Sequence, residues 1–276
     1  MPRHRRTRFM TILIASAALA APAIAAGARH DRPTDDFGHE FVRIGAPGNR
    51  AALPEERYFN QRFPDLGKVD KRYRIATKEV TSEQWLGFVN AYWAIWEANG
   101  GARGDSKFTG GWIAEQNANP GQNPNYHIHS GGEQRAVQVS WEVAARYANW
   151  LHNGKVNEEW AFETGAYDTS TFVAHPDGGY THQPERSPEA RFWLPSVDEW
   201  VKASHYDPDR YGEDQEGYWT QKGGQQTPLT PGLPENGGET SAGDFLPSGH
   251  ETFIPVGSYP DVQSPWGLLD TSGGAR

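Results

Sequence analysis

The 276-residue sequence contains no cysteine. Disulfides, zinc–thiolate sites and cysteine nucleophiles are therefore excluded within it, and stability has to come from packing, turns or bound ions. A basic surface is also missing. The formal charge is −9, and Lys and Arg are scattered apart from one cluster at the extreme N terminus, so nothing supplies the cationic face that displaces counterions from nucleic acid. There is no G-x-S-x-G elbow and no phosphate-binding glycine loop ahead of a helix. Adjacent carboxylates such as Asp35-Asp36, Glu55-Glu56 and Glu158-Glu159 point apart in extended chain and read as solvated surface. No internal repeat of about 20 to 50 residues is present, which excludes a solenoid or propeller.

Aromatic residues, by contrast, make up 12% of the chain and include 11 Trp. A chain of this length fits one large domain or at most two small ones, and Trp lets a loop-rich chain bury much area per residue. Arg3, Arg5, Arg6 and Arg8 precede an apolar, Ala-rich stretch from Phe9 to Ala26. This basic–apolar–small order predicts a signal peptide over residues 1–28, cleaved near residues 25–28, and export to the periplasm or the extracellular space. The rival is a membrane anchor, since about 18 apolar residues approach a bilayer span. Residues 29–38 are polar and unperiodic and read as a linker, which leaves 39–276 as the folded domain.

Three helices announce themselves. Thr81 and Gln84 have capping-box spacing, and Trp85, Phe88, Val89, Tyr92, Trp93 and Trp96 recur at the spacing of one buried face. Ser140 caps a second helix with Val143, Ala144, Tyr147, Ala148 and Leu151 inward, stopped by Asn153-Gly154. Within Arg191 to Pro208, an apolar strand Phe192–Leu194 turns at Pro195 into a third helix. Ser196 and Glu199 box its start, Trp200 and Ala203 share one face, and the helix has to stop before Pro208. Residues 99–134, 161–188 and 207–250 are long segments without periodicity, of the kind that are functional or mobile.

His127 and His129 are one residue apart, with Glu133 following. In extended chain both rings point to the same side, and two His with a carboxylate can hold non-haem iron or zinc. The surrounding Asn, Pro and Gly equally describe a surface loop with exposed histidines.

The segment LPSVDEWVKASH (194–205) resembles the LPTEDEWEKAAR hallmark of the formylglycine-generating enzyme, or sulfatase-modifying factor, family. Three further segments are similar to that family's motifs, in its order. FVRIGAPGN (41–49), continued by YRIATKEVTSEQWLGFVNAY (73–92), resembles the opening strand and E-V-T helix. VQVSWEVAARYANWLHNG (137–154) resembles VSW…YANWL, and VGSYPDVQSPWGLLDTSGG (256–274) resembles VGSFPPNPFGLYDMSGN. The likeness covers roughly residues 39–276 and implies an α+β, loop-rich fold related to C-type lectins. It also implies structural calcium, with Asp244 as a side-chain ligand and Phe245 as a carbonyl ligand in TSAGDF (240–245). Gly274 stands where the family's second calcium loop has Asn. The family's activity, oxidation of a substrate cysteine, uses a copper-binding cysteine pair that this sequence lacks. The expectation is an exported binding module for a protein, peptide or glycan. The alternative is an oxidoreductase of the formylglycine-generating or non-haem metal type, with its catalytic segment beyond residue 276.

Overall fold

A computed structural model describes residues 10–16, 34–57, 65–116, 122–176, 180–183, 185–241 and 254–271. The described chain is α+β, with five α-helices and short strands that pair antiparallel. It divides into two compact units, one built from Met1–Ile12, Val80–Glu189 and Ala275–Arg276, the other from Leu13–Glu79 and Ala190–Gly274.

The first unit holds α1 (Ser82–Ala98), α2 (Ser106–Thr109), α3 (Trp141–His152) and α4 (Glu159–Glu163). The expected caps are in place. The Gln84 N–H donates to Thr81 Oγ1 at 3.2 Å while Thr81 N–H donates to Gln84 Oε1 at 2.9 Å, and Ser140 Oγ accepts from the Val143 N–H. All five expected inward residues of α3 are buried. On α1 the expected stripe is narrower than the periodicity predicts. Trp85, Phe88, Val89 and Tyr92 are buried, whereas Trp93 and Trp96 are half-buried at the helix's C-terminal end. The core is a cluster of rings, among them Trp85 on Tyr147 at 4.7 Å, Phe88 stacked on Tyr92 at 5.3 Å and Tyr92 on Phe162 at 4.9 Å.

Side chains reaching into backbone order the long segment after α3. Asn149, fully buried, donates through Nδ2 to the carbonyls of Phe162 and Tyr167 and accepts from the Tyr167 N–H. Asn153 donates to the carbonyls of Ala161 and Thr164. Arg146 grips Glu163 with two nitrogens, and Tyr92 and Thr169 donate to the same carboxylate. Such pairing removes the penalty of burying unpaired backbone groups.

The second unit is a five-stranded antiparallel sheet in the order Phe192–Trp193, Ala15–Ser16, Tyr73–Ala76, His39–Ile44 and Thr34–Asp36. Against the linker expectation for residues 29–38, Thr34–Asp36 pairs with His39–Phe41. The two turn residues, Phe37 and Gly38, both have positive φ (56° and 85°), the conformation that matches hairpin twist. Phe-Gly is an unusual pair for such a turn, so no hairpin signal is legible there.

Helix α5 (Val197–His205) ends before Pro208 as expected and carries the expected capping box, Ser196 Oγ accepting from the Glu199 N–H and Glu199 Oε2 from the Ser196 N–H. Its buried residues are Glu199, Lys202, Ala203, Ser204 and His205. Trp200 is only half-buried, which corrects the inward placement expected from its spacing with Ala203. The buried positions are held by polar contacts. Glu199 Oε2 also accepts from Trp193 Nε1, and Lys202 Nζ donates to the Ala46 carbonyl at 2.7 Å. Gly67 has φ +92°, and a Cβ there would lie 2.7 Å from the Tyr218 hydroxyl.

Residues 10–16, read in the sequence as part of a signal peptide, are strand-bearing. Met10–Thr11 pairs with Gln138–Val139 in the first unit. Ala15–Ser16 lies between Phe192–Trp193 and Tyr73–Ala76 in the second, and Ile14 and Ala15 are fully buried. Deleting residues 1–26 is therefore expected to lower the chain's stability by several kcal/mol, since each buried aliphatic side chain contributes about 1.5 to 3 kcal/mol. Urea denaturation of the full chain and of a chain beginning at Gly27 measures the difference. Equal midpoints and slopes would mean that the sheet does not need the segment.

Candidate functional site

The second unit also brings together polar residues that the frame does not use. Glu79 follows the strand Tyr73–Ala76 after two residues. The Leu269 N–H donates to the Thr77 carbonyl at 2.8 Å, which draws Asp270 towards this strand end. Asp270 has φ 56°, and its Oδ2 accepts from the Gly257 N–H at 2.6 Å. A short turn closed by the Gln221 N–H on the Gln225 carbonyl, at 3.0 Å, carries Lys222.

Two hydrogen bonds clip that turn's approach to the end of α5. The Trp219 N–H donates to the His205 carbonyl at 2.8 Å, and His205 Nδ1 lies 2.8 Å from the Trp219 carbonyl. A carbonyl only accepts, so the proton of His205 is on Nδ1. This clip sets the ammonium of Lys222 over the Trp200 ring, 4.5 Å from its centroid. Trp200 and His205 are themselves in contact, ring centroids 6.1 Å apart.

Desolvation dominates the electrostatics of the group. Burial holds the Glu79 carboxyl well above the usual carboxylate range. The charge of Asp270 adds to this, and Lys222 opposes it. Burial pushes Asp270 up to about 6, against the Gly257 N–H and Lys78. It pulls Lys222 down to about 8 against the attraction of Glu79. His205 falls to about 4 by burial, offset by its bond to Trp219 and reinforced by Lys222. Burial thus favours the protonated form of Glu79 and the neutral forms of His205 and Lys222, beside the indole of Trp200. Groups shifted in this way cluster at functional sites.

The histidines singled out from the sequence lie in the first unit. His127 sits on the strand Tyr126–Ile128 opposite Ala114, and the two imidazoles of His127 and His129 are 5.9 Å apart between centroids, at 75°. His127 Nδ1 is buried without a hydrogen-bond partner. Glu133 is exposed in the following turn. Among the described residues no group of three or more His, Asp or Glu side chains is placed to hold a metal. Asp244 and Phe245, the calcium ligands implied by resemblance, lie outside the described residues.

Glu79, Lys222 and Asp270 belong to none of the candidate sites legible in the sequence. A signal for one of them existed: Asp270 stands directly after Leu268 and Leu269. A charged residue at the edge of a buried apolar run is a candidate for a buried charge. Lys222 sits in a Gln- and Gly-rich turn that gave no such cue.

The model of one protein family, the sulfatase-modifying factor enzyme 1-like domain, matches residues 40–276. The chain belongs to this family. No curated protein and no solved structure gives a significant match. The matched span includes every residue of the cluster, Glu79, Trp200, His205, Lys222 and Asp270.

Asp270 gives the electrostatics a direct test. Its raised value means the folded state favours the protonated form. That contribution is fully present below the ordinary value of 3.8 and is lost as pH rises through about 6. Asp270→Asn, a residue that tolerates positive φ, is expected to stabilise the protein at pH 8 by about 2 to 3 kcal/mol. The gain should shrink through pH 6 and vanish below pH 4. A gain of the same size at pH 4 and pH 8 would show that the carboxyl is not desolvated.

Proposed function

We propose that residues 40–276 act as a binding module of the sulfatase-modifying-factor family and do not oxidise thiols. The observation that carries this reading is the absence of cysteine from all 276 residues. Copper(I) that joins a substrate thiol selects soft thiolate ligands, and these residues offer only nitrogen and oxygen donors. The donor set does not fit copper, and no step is derived through it.

The partner is a protein, a peptide or a glycan. Trp160 and Tyr211, each 54% exposed, are of the type that stacks on sugars and peptide side chains. The net charge of −9 disfavours nucleic acid. Among the described residues no helix is long and apolar enough to cross a membrane. Export to the periplasm or extracellular space is proposed from the basic–apolar–small order of residues 3–26.

Calcium is proposed as a structural ion. The carboxylate of Asp244 and the carbonyl of Phe245 are hard oxygen donors that suit it. Calcium at 100 times its dissociation constant is expected to add about 2.7 kcal/mol to folding. The melting temperature should fall on chelation, and part of the gain should be lost in Asp244→Ala. Identical melts with calcium and with chelator would remove the ion.

A metal-dependent oxidoreductase is the second reading, favoured by the paired imidazoles of His127 and His129 and the unpartnered Nδ1 of His127. Glu133 would be the carboxylate of that site. One assay separates the two. The purified chain, with copper and oxygen supplied, is expected to leave a cysteine-containing sulfatase peptide unconverted while still melting cooperatively. Formation of the aldehyde would overturn the binding reading.

A further inference from the structure

Residues 14–16 belong to the segment that export, as proposed above, would remove, and they stand in the middle of the second unit's sheet. The Ala76 N–H donates to the Ile14 carbonyl at 2.8 Å. Ala15 lies opposite Ile75 on one side and Trp193 on the other, and Ser16 lies opposite Arg74 and Phe192. Ile14 and Ala15 are fully buried and Ser16 nearly so, which leaves no solvent face on this strand. Both neighbours run antiparallel to it and therefore parallel to each other. With strands about 4.8 Å apart, the two neighbours stand about 10 Å from one another. Their spacing has supports other than the strand between them. Glu199 holds both: the Tyr73 hydroxyl donates to the Glu199 carbonyl, and Trp193 Nε1 donates to Glu199 Oε2 at 2.9 Å. Tyr73–Ala76 is paired along its far edge with His39–Ile44, and Phe192 packs on Phe37 and Phe41 with ring centroids 5.7 and 6.0 Å apart. A frame braced in this way keeps a slot one strand wide when its middle strand is withdrawn. Tyr73, Ile75, Ala76, Phe192 and Trp193 flank that slot, and the backbone groups along its two edges require partners.

We propose that the slot between Tyr73–Ala76 and Phe192–Trp193 is a strand-acceptor site, filled by residues 14–16 in the full chain and by an extended apolar peptide of a partner protein in the exported one. The proposal rests on the export and peptide-binding readings given above and names the site at which the peptide binds. Affinity comes from main-chain hydrogen bonds to both walls, as in other cases where a peptide adds a strand to a sheet. The residues now in the slot state what it selects. The place of Ile14 takes a branched aliphatic side chain, because a charge there would be buried without a partner. The places of Ala15 and Ser16 take small residues, since neither has exposed surface into which a larger side chain could extend. Ser16 Oγ is buried with no hydrogen-bond partner, so its place asks for small size and not for a hydroxyl. Proline at the place of Ala15 or Ser16 would remove a ladder donor between two strands and is excluded.

The test uses the full chain with a protease site inserted between Ala26 and Gly27. The chain is cut, unfolded in urea, freed of its first 26 residues and refolded alone or with a fluorescent peptide of residues 10–16, MTILIAS, bearing a lysine tail for solubility. The peptide is expected to bind saturably by fluorescence anisotropy and to raise the melting temperature. The same peptide with Ile14→Asp should bind at least about tenfold more weakly. The uncut chain, whose slot is filled, should bind MTILIAS at least about tenfold more weakly than the cut one. Equal binding by cut and uncut chains, equal binding of the two peptides, or no binding overturns the proposal. Should the cut chain not fold alone, a cooperative melt restored by MTILIAS and not by the Ile14→Asp peptide supports the slot, and a failure of both peptides to restore it overturns the slot. Mass spectrometry of the N terminus of the chain in its own compartment tests the export reading separately. An intact Met1 there would leave residues 14–16 in place and overturn occupancy by a partner, whatever the purified chain binds.

Discussion

Irregular backbone can be buried only if each N–H and C=O it carries finds a partner, and a chain without disulfides has to supply those partners from side chains. Asn149 shows how much one residue carries. Its amide takes up two carbonyls and one N–H of α4 and the segment that follows it, three groups that no aliphatic side chain of its size could satisfy. The second unit repeats the device with Asn49. Its Nδ2 donates to the Gly67 carbonyl and the Tyr218 hydroxyl, and its Oδ1 accepts from the Val69 N–H. Glu56, bonded to Arg50, the Leu53 N–H and Tyr211, and held well below the usual carboxylate range by these donors despite its burial, does the same for another loop. The aromatic cores give each unit its hydrophobic stabilisation. These polar residues decide which loop conformation receives it.

The same constraint positions the candidate cluster. Lys222 reaches Trp200 because the Trp219 N–H and carbonyl are both used by His205. Asp270 approaches Glu79 because Leu269 bonds to Thr77. Each of these side chains is thus one to three residues from a backbone pairing that fixes it. A site carried on loops gains from this the positional definition that loops otherwise lack.

What was legible in the sequence follows the range of the interaction. Caps act over three residues, so Thr81–Gln84, Ser140 and Ser196–Glu199 could be read directly, as could the inner face of α3. Periodicity alone misplaced Trp200, because α5 buries a face through Lys202 and Glu199, whose partners Ala46 and Trp193 are set by tertiary packing. The hairpin at Phe37-Gly38 was missed because its turn lacks Asn or Asp. The cluster at Glu79 was illegible for a stronger reason. Its members come from three segments separated by more than a hundred residues in two cases, and no local pattern encodes their convergence. The family motifs, by contrast, were legible because they recur in order, and they coincide with the caps and turns that fix the frame.

Charge balance explains why such a cluster persists in a folded chain. If Glu79 and Lys222 were both ionised, their desolvation would outweigh the attraction unless they were in contact and fully hydrogen-bonded, and they form no ion pair within 4 Å. Neutralising both removes most of that cost but leaves donors and acceptors without partners, a residual penalty on the order of 1 to 3 kcal/mol for each group. An apolar pair at the two positions would avoid it altogether. Elsewhere in this unit Glu56 and Glu199 are each met by several donors. At Glu79, by contrast, the buried Oε2 is left without a hydrogen-bond partner, a cost that packing alone does not explain.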